Sequence, residues 1–123
     1  MAINQPNARL RGGGSMPMLG FGTWQMTGDR AYQAVREALA VGYRHIDTAT
    51  MYGNEEEVGR AIRDSGLPRS DVFLTTKLPP QQVGRERGTI QASLAALGTD
   101  YVDLWLIHWP PPDARTSIAS WRE

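Results

Sequence analysis

A regular alternation of strand-type and helix-type segments is the feature that most constrains the fold of this chain. The predicted strands are 19–23, 43–48, 72–77 and 101–108, and the predicted helices are 30–41, 55–65, 89–97 and 116–123. Neighbouring parallel strands need a long crossover connection, and a helix supplies it. The alternation therefore predicts an α/β fold with one parallel sheet and crossover helices.

Turn and strand composition agree with this fold class. The segment Gly12-Gly13-Gly14-Ser15 separates two short strand-type segments, 9–11 and 16–18, and predicts an N-terminal β-hairpin. Segments 72–74 and 104–107 are almost continuously apolar, which is typical of parallel strands covered on both faces.

The ends of the first three helices carry recognisable capping residues. Asp29 and Asn54 are the predicted N-caps of the first two helices, because their side chains can accept hydrogen bonds from free backbone N–H groups. Residues 55–57 are glutamates, which suit the positive start of the second helix. Gly42 and Gly98 are predicted to end the first and third helices in the left-handed conformation.

Length and charge exclude several classes of protein. The 123 residues allow one small domain, and 13 basic residues balance 13 acidic ones. A nucleic acid or an anionic membrane is therefore not expected as a partner. The chain has no cysteine, no apolar run near the roughly 20 residues of a membrane span, and no apolar core of a signal peptide. We expect a cytoplasmic protein, and no metal site is predicted.

Lysine usage singles out one residue. Twelve of the 13 basic residues are arginines, and Lys77 is the only lysine. Arginine serves as well as lysine on a solvated surface, so a retained lysine is a candidate for a compact charge or a proton-transfer group. A leftover surface lysine is the alternative interpretation of this count.

Four reactive side chains follow the ends of the predicted strands. Asp47 ends the second strand, Tyr52 lies in the loop after it, Lys77 ends the third strand and His108 ends the fourth. In parallel α/β barrels the reactive side chains lie at the carboxyl ends of the strands and in the loops beyond them. An acid, a phenol, an amine and an imidazole are therefore predicted to share one rim of the sheet.

Each of these residues also has a purely structural explanation on its own. The acid could cap a turn, the phenol could pack in a loop, the lysine could lie on the surface, and the histidine could be a hydrogen-bonded core residue. Four such coincidences at one end of one sheet favour a site instead. By contrast, Tyr43 and His45 fall in the middle of a predicted strand and are expected to be packing residues.

Several ordered motifs lie between about Met18 and Pro110. They are Leu19-Gly20-Phe21-Gly22-Thr23-Trp24, Gly42-Tyr43-Arg44-His45-Ile46-Asp47-Thr48-Ala49, Tyr52-Gly53-Asn54-Glu55 with Val58-Gly59, Thr75-Thr76-Lys77-Leu78, and Asp100-Tyr101-Val102-Asp103-Leu104-Trp105-Leu106-Ile107-His108-Trp109-Pro110. In order and spacing this set resembles the N-terminal half of the aldo-keto reductase family, and in particular its bacterial diketogluconate and aldehyde reductases.

The resemblance implies a (β/α)8 TIM barrel whose floor is closed by a hairpin, and the reduction of aldehydes and ketones with NADPH. A complete barrel of this kind has about 250 residues. Residues 1–123 would then be the N-terminal half of a barrel, an incomplete domain with roughly the first four β/α units and the hairpin. The implied partner is a small carbonyl substrate.

The resemblance also assigns roles to individual residues. Tyr52 would be the general acid that protonates the carbonyl oxygen, Lys77 would stabilise the resulting phenolate, Asp47 would hold Lys77, and His108 would orient the substrate. The implied cofactor contacts are Gly22, Thr23, Trp24 and Asp47, and the implied substrate pocket is lined by Trp24, Tyr52, His108 and Trp109.

Two alternatives stay open beside a reductase. The later strands that hold most of the cofactor in the family would lie beyond Glu123, so the 123-residue chain alone is expected to bind little NADPH. A catalytically incompetent half-barrel that acts as an assembly module, self-associating through its open sheet edges, is the first alternative. A lyase that uses Lys77 as a Schiff-base amine is the second, and the joint match of Asp47, Tyr52 and His108 disfavours it.

Overall fold

The computed structural model describes residues 4–123 and contains six strands and four α-helices in that range. In chain order the elements are β1 (Asn7–Arg9), β2 (Ser15–Pro17), β3 (Phe21–Gly22), α1 (Gly28–Val41), β4 (His45–Asp47), α2 (Glu55–Asp64), β5 (Phe73–Leu78), α3 (Glu86–Leu97), β6 (Leu104–Ile107) and α4 (Ala114–Trp121). Short 3₁₀ turns cover Thr50–Tyr52, Arg69–Asp71 and Pro80–Gln82. None of the four helices is long and apolar enough to cross a membrane.

The strands form two separate sheets. β1 and β2 pair antiparallel as the predicted hairpin, with Ala8 opposite Met16. β3, β4, β5 and β6 lie side by side in chain order and are all parallel, with one α-helix in each connection between them. The predicted parallel sheet with crossover helices is therefore confirmed.

A single apolar core lies between the helices and one face of the parallel sheet. Its buried members come from α1, β4, α2, β5 and α3, and they include Val35, Leu39, Ile46, Val58, Ile62, Leu74 and Leu97. The helices α2 and α3 approach each other closely, because a side chain on Gly59 would collide with the backbone carbonyl of Leu97. Glycine at this position therefore lets the two helices cover the sheet without a gap.

The two predicted glycine stops are correct, while one predicted N-cap is wrong and another has a different role. The third helix begins at Glu86, three residues before its predicted start, and the fourth covers Ala114–Trp121 instead of 116–123. α1 begins at Gly28 with Thr27 at the cap position, so Asp29 lies inside the first turn. Asn54 does occupy the cap position of α2, but its side chain makes no capping hydrogen bond. Gly42 and Gly98 end α1 and α3 with φ of 112° and 64°, the left-handed conformation that glycine adopts without steric cost.

The expectation that both apolar strands are covered on both faces holds for only one of them. All six residues of β5 are buried, whereas no residue of β6 is buried and Leu106 is 37% exposed. β6 is the last strand of the sheet and has a hydrogen-bonded neighbour on one side only among the described residues. Tyr43, predicted within a strand, instead lies before β4 and packs edge-on against the ring of Phe21.

Candidate active site

The four predicted reactive residues lie at the same edge of the parallel sheet. Asp47 is the last residue of β4, Lys77 is the next to last residue of β5, and His108 directly follows β6. Tyr52 ends the 3₁₀ turn that follows β4. Since the strands are parallel, their carboxyl ends all reach this edge, and three successive strands with the segments that follow them deliver the four side chains to it.

Lys77 is the centre of the cluster. Its Nζ lies 2.5 Å from Asp47 Oδ1, 2.9 Å from the backbone carbonyl oxygen of Thr48 and 3.4 Å from the Tyr52 hydroxyl. An ammonium group has three N–H donors, and three oxygens surround this one. Only 9% of the residue is exposed, so little of this charge is left to water.

The imidazole of His108 completes the cluster beside the phenol. Its ring lies edge-on to the Tyr52 ring at a centroid distance of 5.6 Å. The centroid distance between the His108 and Trp109 rings is 4.7 Å. Burial lowers the pKa of His108, the Lys77 ammonium lowers it further, and the Asp47 carboxylate acts in the opposite direction. The ring is therefore neutral near pH 7, and its buried Nδ1 has no hydrogen-bond partner among residues 4–123.

The predicted cofactor residues differ in how open they are. Gly22 pairs in register with Asp47, and a side chain added to it would meet no atom within 4 Å, so the sheet edge is open there. Trp24 is 67% exposed beside this space. Thr23 is fully buried, and its backbone N–H and hydroxyl both donate to the Asp47 carbonyl. Gly22 therefore leaves the backbone of β3 uncovered at this point, while Thr23 holds this loop to β4.

The two tryptophans predicted as pocket walls stand at the rim without enclosing it. Trp24 is 67% exposed and Trp109 is 45% exposed. Trp24 follows β3 and Trp109 follows β6, the first and last strands of the parallel sheet. Trp109 packs against the His108 ring, and the structure gives no contact between Trp24 and Tyr52 or His108 among the described residues.

His45 lies away from this rim, as its place at the start of β4 requires. Its Nδ1 is 3.1 Å from the carbonyl oxygen of Pro17 in the hairpin, and its Nε2 is 2.9 Å from the hydroxyl of Thr75. A carbonyl oxygen can only accept, so Nδ1 donates to Pro17, and the Thr75 hydroxyl, which can donate or accept, pairs with Nε2. These two contacts connect the hairpin to strand β5 through His45.

Two residues that the sequence linked to the start of α2 also make buried hydrogen bonds beside the site. Asn54 is fully buried: its Oδ1 accepts from the Thr48 hydroxyl at 2.6 Å, and its Nδ2 donates to the carbonyls of Thr23 and Met26 at 2.9 Å. Glu55 is also buried, and its carboxylate accepts from the hydroxyls of Thr76 and Ser93. An amide and an acid two and three residues after Tyr52 were the available sequence signal.

A protein-family model and several curated proteins match this chain in sequence. The model of the aldo/keto reductase family matches residues 18–120. The chain is 53% identical to aldehyde reductase YPR1 of Saccharomyces cerevisiae, over 85% of this chain and 33% of that protein. It is 44% identical to methylglyoxal reductase DkgA of Yersinia pestis, over 97% of this chain and 43% of that protein.

Solved structures agree with the sequence relatives. The crystal structure of an aldo/keto reductase from Brucella melitensis superimposes with a TM-score of 0.93 at 51% identity, over 99% of this chain and 47% of that one. A Bombyx mori aldo-keto reductase in complex with NADP superimposes with a TM-score of 0.83 at 38% identity, over 89% of this chain and 39% of that one. The chain thus spans less than half the length of these relatives.

The predicted fold class is confirmed by these likenesses, because the hairpin and the four β/α units superimpose on the corresponding part of aldo-keto reductase barrels. The family model covers most of the chain, including all four clustered residues. This chain belongs to the aldo/keto reductase family.

Proposed function

We propose that residues 1–123 form the N-terminal half of a barrel that reduces aldehydes and ketones to alcohols with NADPH. The observation that carries this proposal is the placement of the Lys77 ammonium between the Asp47 carboxylate and the Tyr52 hydroxyl, at 2.5 Å and 3.4 Å. An ammonium beside a phenol is the arrangement that a phenolic general acid requires, because it stabilises the phenolate left after proton transfer.

Each residue of the cluster has a defined task in this reaction. When bound, the reduced nicotinamide supplies the hydride that reaches the carbonyl carbon of the substrate. The Tyr52 hydroxyl donates its proton to the carbonyl oxygen as negative charge develops there. Lys77 stabilises the phenolate, and Asp47 holds Lys77 in place and offsets the cost of burying its charge. General acid catalysis of this kind contributes roughly 10²–10⁴ in rate.

His108 and the rim tryptophans orient the substrate. The pKa of His108 is lowered, so its imidazole is neutral near pH 7. In a neutral imidazole one ring nitrogen is an N–H donor and the other carries no proton. That N–H can donate to the same carbonyl oxygen that Tyr52 protonates. Trp24 and Trp109 offer apolar surfaces at the rim for the rest of the substrate.

The cofactor is proposed to lie at the open sheet edge beside Gly22, Trp24 and Asp47, while the fully buried Thr23 holds this loop to β4 without contacting the cofactor. Gly22 leaves room for a flat ring there. Relatives have been crystallised with NADP and NADPH, and the chain covers 39% and 37% of those proteins. We therefore expect the 123-residue chain by itself to bind NADPH weakly, and tight binding in a fluorescence-quenching titration would contradict this expectation.

Replacement of Tyr52 tests the proposed function. In a complete barrel that contains these residues, Tyr52→Phe is expected to lower kcat for NADPH oxidation with an aromatic aldehyde by about 10²-fold or more, since it removes only the acidic proton. Tyr101→Phe is the matched control, because Tyr101 is a partly exposed tyrosine outside the cluster. Equal turnover in both variants would remove Tyr52 from the acid role.

A second candidate function rests on the exposed apolar residues at both edges of the parallel sheet. Met18 and Trp24 flank β3 and are 65% and 67% exposed, and Ile118 and Trp121 on α4 beside β6 are 54% and 81% exposed. Unpaired strand edges with such side chains favour association. As an alternative, the 123-residue chain would be an assembly module that self-associates. A 13.6 kDa monomer at every concentration in analytical ultracentrifugation would contradict this alternative.

A further inference from the structure

The buried carboxylate of Glu55 is outside the proposed chemistry, yet it is connected to both sides of the cluster. Glu55 is the first residue of α2 and is 8% exposed. Its Oε2 accepts a hydrogen bond from the Thr76 hydroxyl at 2.7 Å, and its Oε1 accepts one from the Ser93 hydroxyl at 3.2 Å. We propose that Glu55 is a positioning residue that sets the distance between Lys77 and Tyr52.

The first connection runs through β5. Thr76 and Lys77 are consecutive residues of this strand, so their side chains point to opposite faces of the sheet. Lys77 faces the cluster, and Thr76 faces Glu55 on the helix side. The carboxylate is therefore hydrogen-bonded to β5 on the face of the sheet opposite the cluster, at the residue next to the one that carries the ammonium.

The second connection runs through α3 to the turn that carries the phenol. The hydroxyl of Ser93, which donates to Glu55, lies 3.1 Å from the hydroxyl of Thr50. Thr50 begins the one-turn 3₁₀ helix that Tyr52 ends. Glu55 is thus connected to the strand bearing Lys77 through one hydroxyl, that of Thr76. It is connected to the turn bearing Tyr52 through two hydroxyls, those of Ser93 and Thr50. These hydrogen bonds fix the two segments relative to each other.

The chemistry of Glu55 distinguishes this role from simple packing. A buried carboxylate is costly unless hydrogen bonds and favourable dipoles compensate it, whereas an apolar side chain would fill the same space without that cost. Here the two hydroxyls and the positive start of α2 provide the compensation. A charged acceptor makes shorter and stronger hydrogen bonds than a neutral one, which suits the holding of two segments at a set distance.

The neighbouring acid on the same helix turn provides a control. Glu56 also lies in the first turn of α2, but it is exposed. It shares the favourable interaction with the helix start and lacks the connection to the cluster. Effects common to Glu55→Ala and Glu56→Ala therefore belong to the helix, and effects of Glu55→Ala alone belong to the positioning role.

The single lysine gives this proposal a direct measurement in the 123-residue chain. Growth on lysine labelled with ¹⁵N at Nζ yields one side-chain ammonium signal, that of Lys77. In the wild-type chain we expect slow exchange of its protons with water, because the residue is nearly buried and its ammonium faces three oxygens. The chemical shift and the exchange rate of this signal report the surroundings of the ammonium without any need for cofactor or activity.

The expected result is a change that follows the Glu55 contacts. Glu55→Ala should shift the Lys77 signal and speed its exchange by about three- to tenfold, the effect of losing one net hydrogen bond. Glu55→Gln keeps an oxygen acceptor for Thr76 and should restore most of the wild-type signal. Glu56→Ala should leave it unchanged. An unchanged Lys77 signal in a folded Glu55→Ala chain would overturn the proposal.

A second variant covers the case in which Glu55→Ala does not fold. Thr76→Val keeps the volume of the side chain and removes the hydroxyl that donates to Glu55. It should change the Lys77 signal in the same direction as Glu55→Ala. If Thr76→Val leaves both the shift and the exchange rate of Lys77 at their wild-type values, Glu55 does not position the ammonium.

The catalytic consequence rests on the proposed function and is measured separately. In a complete active barrel, Glu55→Ala should lower kcat more than it changes KM for the aldehyde, because the altered geometry concerns proton transfer. A wild-type barrel without activity would contradict the proposed reduction and leave the result for the Lys77 signal intact. An active wild type with an equally active Glu55→Ala variant would contradict the positioning role alone.

Discussion

The neighbouring strands β5 and β6 differ in a way that their sequences alone do not suggest: the half-polar strand β5 is buried and the wholly apolar strand β6 is not. Every residue of β5 is buried, including the polar Thr75, Thr76 and Lys77. β6 consists of four apolar residues, none of which is buried. β5 is hydrogen-bonded on both sides, while β6 is paired on one side within the described residues. Burial in this sheet is therefore decided by a strand's neighbours and by the helices above it.

The difference matters for the candidate site because the cluster spans both environments. Lys77 lies in the covered part of the sheet, and its ammonium contacts three oxygens. His108 directly follows the exposed strand and packs on Tyr52 and Trp109. The Asp47, Lys77 and Tyr52 side of the cluster is thus built by the described residues themselves, whereas the His108 side adjoins the exposed strand.

The largest expected effect compares one leucine from each strand. Leu74 of β5 is 1% exposed, so Leu74→Ala should lower the free energy of unfolding by about 2–5 kcal/mol through lost burial and a cavity. Leu106 of β6 is 37% exposed, so Leu106→Ala should cost about 1 kcal/mol or less. Urea unfolding of both variants measures this. Equal losses of unfolding free energy in the two variants would contradict the difference between β5 and β6, and would mean that β6 is covered in solution.

The helix layer above β5 can be tested with two glycines. Gly59→Ala should lower the free energy of unfolding by about 1–3 kcal/mol, because the new methyl group would collide with the Leu97 carbonyl and push α2 away from α3. Gly88→Ala in α3 meets no atom within 4 Å and should raise it by about 0.5–1 kcal/mol, since alanine favours the helix. Thermal unfolding of both variants distinguishes the two, and a stable Gly59→Ala chain would argue against close packing of these helices.

A pH dependence is expected at the end of β6. The folded chain disfavours protonation of His108, because burial and the Lys77 ammonium lower its pKa below the ordinary value of 6.5. The unfolded chain therefore binds more protons, and this residue's contribution to stability is complete above about pH 6.5 and is lost as the pH falls below it. Unfolding of wild type and His108→Gln on either side of this value measures the effect. An identical pH dependence in the two proteins would show that His108 is solvated.

The smallest effect on stability is expected at α4. Trp121 is 81% exposed, so Trp121→Ser should change the free energy of unfolding by no more than about 0.5 kcal/mol. The same change should reduce self-association of the 123-residue chain, because it removes the most exposed large apolar side chain beside β6. Sedimentation at several concentrations measures this. Unchanged association would place the contact elsewhere than at the α4 edge.

Local patterns in the sequence were sufficient for the order of strands and helices, for the hairpin, and for the glycines that end α1 and α3. They were also sufficient to predict that Asp47, Tyr52, Lys77 and His108 share one rim, because the carboxyl ends of parallel strands lie at the same edge of a sheet. In the structure Lys77 contacts Asp47 and Tyr52, and His108 packs on the Tyr52 ring without a hydrogen bond from its Nδ1 among the described residues. The roles of the four residues in a reaction stay predictions.

Only the tertiary structure decided how the side chains of Asn54, Glu55 and β6 are used. The same sequence pattern is compatible with a capping amide or a buried brace, and with an apolar strand that is covered or exposed. Which of these occurs depends on groups distant along the chain, such as the Thr76 and Ser93 hydroxyls that approach Glu55. Local propensity acts over a few residues, whereas burial and hydrogen bonding are settled by whichever segments the fold brings together.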